Sequence, residues 1–319
     1  MQLFEQLTAQ PKKAWIAAGR IEASHEKYRA AKTTDESQIK ARILQDVAAY
    51  QANTNKLEKT DSLQKLQLDA TPFNTRYELS NEYTMNSIES VSYDGQRFYW
   101  DINIQSRTDS VKPDKILQGN YMTNQFNMEL NAHRIFAWDG EKYIKYSPLA
   151  EHAFVDSANE LPHNVNGPLT AGLIPWGYGY YSYNSLAALQ SEATERIVDG
   201  NAQIQLTLTN SDGSQMSLVL DSTKGYAVLS CSITGRSNAV ISKQYFDYQN
   251  TSGYWIPMSV LLEKYDVESQ RLLARDIWTI NTVDTNVPGD DSFEVDYQED
   301  TLIEYASPFT NQPLIYRHS

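Results

Sequence analysis

Five histidines, one cysteine and forty Asp and Glu residues are the groups in this 319-residue chain from which acid–base, nucleophilic or metal chemistry would be built. The histidines, His25, His133, His152, His163 and His318, are scattered. No His-x-His or His-Glu-x-x-His spacing occurs, the arrangement by which one strand or helix offers two imidazoles to a metal. No metal or other cofactor is therefore expected. Cys231 stands alone, which excludes an intrachain disulfide and a thiolate cluster. Ala227, Leu229 and Ile233 share its strand parity, so it reads as a small buried hydrophobe. A glycosidase needs only two carboxylates across a cleft, and Asp139, Glu141, Asp247 and Asp276 are the acids that could be drafted. Asp94 and Asp139 each precede a glycine, where the side chain serves turn geometry, and the remaining acids read as solvated strand positions. The sequence has no Gly-x-Ser-x-Gly elbow, P-loop or dinucleotide fingerprint. No catalytic residue is assigned.

The net charge of −13 sets 27 basic against 40 acidic residues. Such a surface repels phosphate, which argues against nucleic acid and against a basic membrane anchor. A hydrophobic content of 41% and a charged content of 21% suit a folded globular chain. No apolar run reaches the length of a signal peptide or membrane span. The expectation is either a cytoplasmic protein or one whose export signal has been removed.

The elements that must position any site are strands. From Gln203 to Glu263 the chain reads as a meander, with Ile204, Leu206 and Leu208 alternating with amides and hydroxyls at the period of a half-buried strand. Upstream, Phe98, Trp100, Ile102 and Ile104 alternate with Arg97, Tyr99, Asp101 and Asn103. Phe126, Met128 and Leu130 repeat the pattern. Asp94-Gly95 and Asp139-Gly140 are hairpin signals. Residues 1–68, rich in Ala, Lys, Glu and Gln, read as helical. One helix is expected around Lys13 to Lys32, with Ala14, Ala17, Ile21 and Tyr28 on one side. A second follows an Asp35 cap, with Ile39, Ile43, Val47 and Tyr50 as its stripe. Residues 147–195 read as an irregular insert rich in Pro, Gly and Tyr, ending in a short helix from Leu186 to about Thr194.

With chemistry unassigned, apolar capacity remains. A strongly bent antiparallel sheet gathers its large side chains on one face, and helices filling that face loosely would leave a lipid-sized pocket. The candidate wall comprises Phe98, Trp100, Phe126, Met128, Leu130, Ile204, Leu206 and Leu208. Trp176 and Tyr180 of the insert are placed to cover it. The competing reading for each residue is ordinary core.

Four segments carry a family resemblance: Trp138-Asp-Gly-Glu-Lys-Tyr143, Leu218-Val-Leu-Asp-Ser-Thr-Lys-Gly-Tyr226, Tyr245-Phe-Asp-Tyr248 and Gly253-Tyr-Trp-Ile-Pro257. In this order the chain resembles the LolA-like superfamily of periplasmic lipoprotein carriers, with its LolB, RseB and LppX-type members, over roughly residues 35 to 305. The resemblance implies an α+β fold: a highly curved antiparallel sheet, an open or half β-barrel, with helices packed on the concave face and extra N-terminal helices here. It implies a single domain over 1–319, made of a helical region at 1–68 and a meander at 71–305 with the insert at 147–195.

The implied function is non-catalytic binding of a lipid, acyl chain or lipoprotein, in the periplasm or cell envelope of a Gram-negative bacterium. The arginine that gates lipid release in LolA has no assignable position in this chain. Two alternatives stand beside this reading. One is a sensor or scaffold whose N-terminal helices dock another envelope protein. The other is a carbohydrate-active enzyme using acids and stacked tyrosines.

Overall fold

The computed structural model describes residues 18–31, 37, 41, 82–94, 96–109, 133–156, 190–198, 201–209, 215–225, 227–234, 240–266, 269–306 and 314–318. The chain divides into two compact units. The first draws on residues 1–27, 90–96 and 161–289, the second on 28–89, 97–160 and 290–319.

In the first unit, β1 (Gly19–Arg29) lies at one end of a row of strands, and β2 (Tyr83–Tyr93) contributes its last four residues. The row continues in β7 (Gln190–Val198), β8 (Asn201–Thr209), β9 (Gln215–Asp221), β10 (Ala227–Thr234), β11 (Val240–Thr251), β12 (Tyr254–Tyr265) and β13 (Leu272–Asp284). Hydrogen-bonded neighbours run β1-β13-β12-β11-β10-β9-β8-β7, open at β7. From β7 through β13 every registered pair is antiparallel, the meander expected of Gln203 to Glu263.

The second unit holds β3 (Phe98–Asp109), β4 (His133–Trp138), β5 (Tyr143–Ser147), β6 (His152–Asp156), β14 (Leu302–Ala306) and β15 (Leu314–Arg317). Their order is β15-β14-β6-β5-β4-β3, with the first part of β2 next to β3. One pairing breaks the antiparallel rule: β14 runs parallel to β6, with Leu302 opposite His152. Parallel strands need a long connection, and here the two come from distant parts of the chain. The segment expected to be an irregular tail from Phe293 onward thus supplies two strands. Its Val295, Tyr297 and Tyr305 pack on the cluster of Ile135, Tyr146, Ala153, Val155 and Ile303.

The helices differ most from expectation. The helix expected around Lys13 to Lys32 is corrected to strand β1. Ile21, Ala23 and His25 are buried while Arg20, Glu22 and Glu26 face water, a period of two and not of 3.6. On the polar face Asn281 Nδ2 donates to Ser24 Oγ at 2.9 Å and Thr282 Oγ1 to Glu22 Oε2 at 3.2 Å, tying β1 to β13. Pairing with a neighbour outweighs a helix propensity of a few tenths of a kcal/mol per residue. The helix expected up to Thr194 is likewise corrected, because β7 begins at Gln190 and pairs along its whole length with β8.

Ser37 and Ala41 are helical. The stripe of Ile39, Ile43, Val47 and Tyr50 lies outside the described residues. Among the described residues no helix packs on a sheet face, so helices on the concave side and an N-terminal helical layer gain no support. No helix among them is long and apolar enough to cross a membrane.

The turns explain the motif spacing. Asp139 Oδ1 accepts from the backbone N–H groups of Glu141 and Lys142, at 2.8 and 2.7 Å, and Gly140 sits at φ 103. That positive φ favours glycine. After β9, Asp221 caps the 3₁₀ turn Ser222–Lys224 by accepting from Thr223 N, and Gly225 closes it at φ 63. The turn carries Lys224 Nζ to 5.8 Å from the Tyr248 ring centroid and 5.9 Å from that of Trp255. The Leu-Asp-Ser-Thr-Lys-Gly segment and the Trp-Ile-Pro strand therefore meet through one ammonium group between two rings.

Candidate functional site

In the first unit the register aligns apolar residues from strand to strand. Leu206 is opposite Leu218, Leu218 opposite Cys231, and Ile204 opposite Leu220. On β12 and β13, Val260 is opposite Trp278 and Leu262 opposite Asp276. All of these residues are buried. Directly opposed residues in an antiparallel pair share a face, so each alignment puts its side chains together. Ile204 and Leu206 of the expected wall therefore lie on the buried face. Leu208 holds the register position opposite Met216, and its side chain lies outside the described set.

One residue of that face is an acid. Asp276 is 3% exposed. Its Oδ1 lies 2.9 Å from His25 Nε2, and the imidazole stacks on Trp278 with ring centroids 4.3 Å apart. Asp276 is thus neither a turn residue nor a solvated strand position, as sequence reading had it. A carboxylate out of water needs a partner, and the imidazole supplies one. The signal was present in parity: Asp276 falls in step with Ala274, Trp278 and Ile280, the apolar set of β13.

The second unit repeats the theme. Phe98, Trp100, Ile102 and Ile104 are buried on one face of β3, with Asn103 exposed on the other, as the alternation predicted. Trp138 is opposite Phe98 and Phe136 opposite Trp100, whose rings are 5.3 Å apart; Phe98 and Tyr143 lie 6.5 Å apart. Buried among these rings is Glu89, 1% exposed. Trp100 Nε1 donates to its Oε2 at 3.1 Å and Ser87 Oγ to its Oε1 at 3.2 Å. Its neighbour Ile88 is 49% exposed, so on β2 the acid faces inward and the isoleucine outward. Tyr83, Met85, Val91 and Tyr93 share the parity of Glu89 and are buried with it, so Ile88 alone among the apolar residues of β2 is out of step.

Of the expected wall, Phe98 and Trp100 therefore lie on the buried face of the second unit and Ile204 and Leu206 on that of the first. Phe126, Met128, Leu130, Trp176 and Tyr180 lie outside the described residues. Sequence reading missed His25, Glu89 and Tyr93, the last being fully buried at the end of β2. Three other histidines have identifiable neighbours. His133 Nε2 is 2.7 Å from Asp101 Oδ1, the His152 ring is 3.7 Å from Glu304 Oε2, and His318 lies against Tyr297. No group of three or more His, Cys, Asp or Glu able to hold a metal occurs among the described residues.

No protein-family model matches the chain, and no curated protein matches it either. Solved structures are similar at low identity. A LolA superfamily protein from Nitrosomonas europaea shares 9% identity, over 92% of this chain and 98% of that one, with a TM-score of 0.44. An outer membrane lipoprotein-sorting protein domain from Vibrio parahaemolyticus shares 8%, over 91% and 95%, also at 0.44. An uncharacterized conserved protein from Thermus thermophilus shares 7%, over 96% and 100%, at 0.34.

Proposed function

We propose that this chain binds an acyl chain, free or attached to a lipid or protein, against an apolar sheet face in the cell envelope, with no catalytic step. The observation that carries the proposal is the strand-to-strand register of large apolar side chains in the first unit: Leu206 on Leu218, Ile204 on Leu220, Val260 on Trp278. A face built this way offers continuous dispersion contact to a flexible hydrocarbon, and apolar ligand sites need only a few polar groups for orientation. His25 with Asp276 is the polar pair available there.

Energetics constrain the mode of binding. The described wall residues, Phe98, Trp100, Ile204 and Leu206, are already shut off from water by the chain itself. Ligand uptake then exchanges one apolar neighbour for another, and the affinity must come from the hydrocarbon leaving water. That is worth about 0.8 kcal/mol per methylene, so affinity should climb steadily with chain length.

Native mass spectrometry of protein purified without detergent, then incubated with phosphatidylethanolamine and phosphatidylglycerol vesicles, tests the proposal. A retained lipid mass is expected. Leu206→Ala weakens retention if the first unit holds the chain, and Phe98→Ala if the second does. Protein that stays lipid-free under all these conditions, while keeping its near-UV circular dichroism, refutes the reading.

A further inference from the structure

Among the described residues, one side chain of the first unit ends in a buried polar atom with no hydrogen-bond partner, the Tyr93 hydroxyl. Tyr93 is 0% exposed. Its place on the sheet follows from its neighbour. Ser92 Oγ accepts from Arg20 Nε at 3.2 Å, on the polar side of β1. Alternation then turns Tyr93 and Val91 to the opposite side, that of Ile21, Ala23 and His25. Tyr93 therefore shares the apolar face with the His25–Asp276 pair and Trp278.

A phenol buried without a partner shifts the folding equilibrium unfavourably by roughly tenfold. A phenylalanine would fill the same volume without that cost. Buried polar atoms are satisfied in the great majority of cases, and one that is not invites a ligand as its explanation.

We infer that the Tyr93 hydroxyl is the polar anchor of the acyl-binding face, donating a hydrogen bond to the neutral carbonyl oxygen of an ester- or amide-linked acyl chain. This rests on the acyl-binding reading and adds to it the chemical class of the bound group. The donor role suits the site, since burial, with the Tyr254 phenol adding to it, pushes the ionisation of Tyr93 well above that of an exposed tyrosine and keeps the proton in place. A free fatty-acid carboxylate fits poorly. It would bring a charge into an apolar face, one that already holds the Asp276 carboxyl group.

The test uses the whole chain and its Tyr93→Phe variant. Displacement of bound N-phenyl-1-naphthylamine is followed with methyl laurate, free laurate and a straight-chain alkane of matching length. The wild type should prefer the ester to the alkane by about tenfold, the value of one well-made buried hydrogen bond. In Tyr93→Phe the ratio should fall to near one with alkane affinity unchanged, and the ligand-free melting temperature should hold or rise. An unchanged ester preference in the variant overturns the anchor, as does a lowered melting temperature, which would mean the hydroxyl was already bonded. Tighter binding of free laurate than of the ester overturns the neutral-carbonyl assignment. Failure of every compound to displace the probe sinks the acyl-binding reading itself, and the anchor with it.

Discussion

The indole Nε1 of Trp100 donates to the Glu89 carboxylate at 3.1 Å, and both side chains are buried. The indole is a donor only, whereas Ser87, the second partner, can donate or accept. That asymmetry ranks the substitutions. Glu89→Gln can turn its carbonyl to the indole and its amide to the serine hydroxyl, at a cost of about 1 kcal/mol. Glu89→Ala orphans the indole N–H and leaves a void, and should cost about 2–4 kcal/mol. Urea midpoints should follow the order wild type, Gln, Ala. An alanine variant as stable as the wild type would show that the carboxylate does not support the core of the second unit.

The His25–Asp276 pair sets up a double-mutant cycle. Removing one partner of a buried ion pair or charge-assisted hydrogen bond costs about 3–5 kcal/mol. His25→Leu and Asp276→Leu should each be strongly destabilising, and the double variant should recover much of the loss because nothing charged remains. Intrinsic fluorescence, sensitive to Trp278 beneath the imidazole, gives a second readout. Simple additivity of the two losses would mean that the 2.9 Å contact carries no coupling.

Neither pair was read from the sequence, whereas other features were. The alternation of Phe98, Trp100, Ile102 and Ile104 gave β3 its face because each outward partner is polar. Asp139-Gly140 gave its turn because only glycine sits easily at φ 103. Strand β1 was not legible as such. Its Glu, Lys and Ala content favours a helix locally, and the pairing with β13 that overrides this lies at the far end of the chain. Glu89 and Asp276 were hidden differently. An acid in a strand reads as a solvated position unless its parity is weighed against its neighbours', and Glu89 is in step with Tyr83, Met85, Val91 and Tyr93, as Asp276 is with Ala274, Trp278 and Ile280. The parallel joining of β14 to β6 leaves no local trace at all.

Acid pH should loosen the second unit through His152. Burial holds its ionisation below the ordinary 6.5, an effect larger than the opposing pull of Glu304. At 3.7 Å the ring and Glu304 are too far apart for a good hydrogen bond, so burial rather than pairing decides the direction. The unfolded chain therefore takes up a proton on this residue before the folded one does. The stability contributed is complete above pH 6.5 and lost as pH falls through the depressed folded value. Urea unfolding at about pH 8 and about pH 5.5 should show a decrease that His152→Gln makes smaller. A His152→Gln variant with the same decrease would place the acid sensitivity elsewhere.

The segment that crosses the second unit after Phe293 should come loose at alkaline pH. Tyr297 lies edge-on to Tyr146 at 5.2 Å, and Gln298 N donates to the Tyr146 hydroxyl at 3.1 Å. Burial is the main cause that pushes Tyr297 up to about 12, and the same holds for Tyr99, which packs against the same cluster. A raised folded value means that the unfolded chain loses the proton first, near pH 10. The stabilisation is then whole below pH 10 and disappears as pH climbs toward 12. Absorbance at about 295 nm should show exposed tyrosines ionising near 10 and a later group whose ionisation coincides with loss of structure. Tyr297→Phe should remove part of that later group and, having no phenol to ionise there, should unfold at higher pH than the wild type. Ionisation of all the tyrosines in one step near pH 10, with the fold intact, would mean that the strap does not shield these rings.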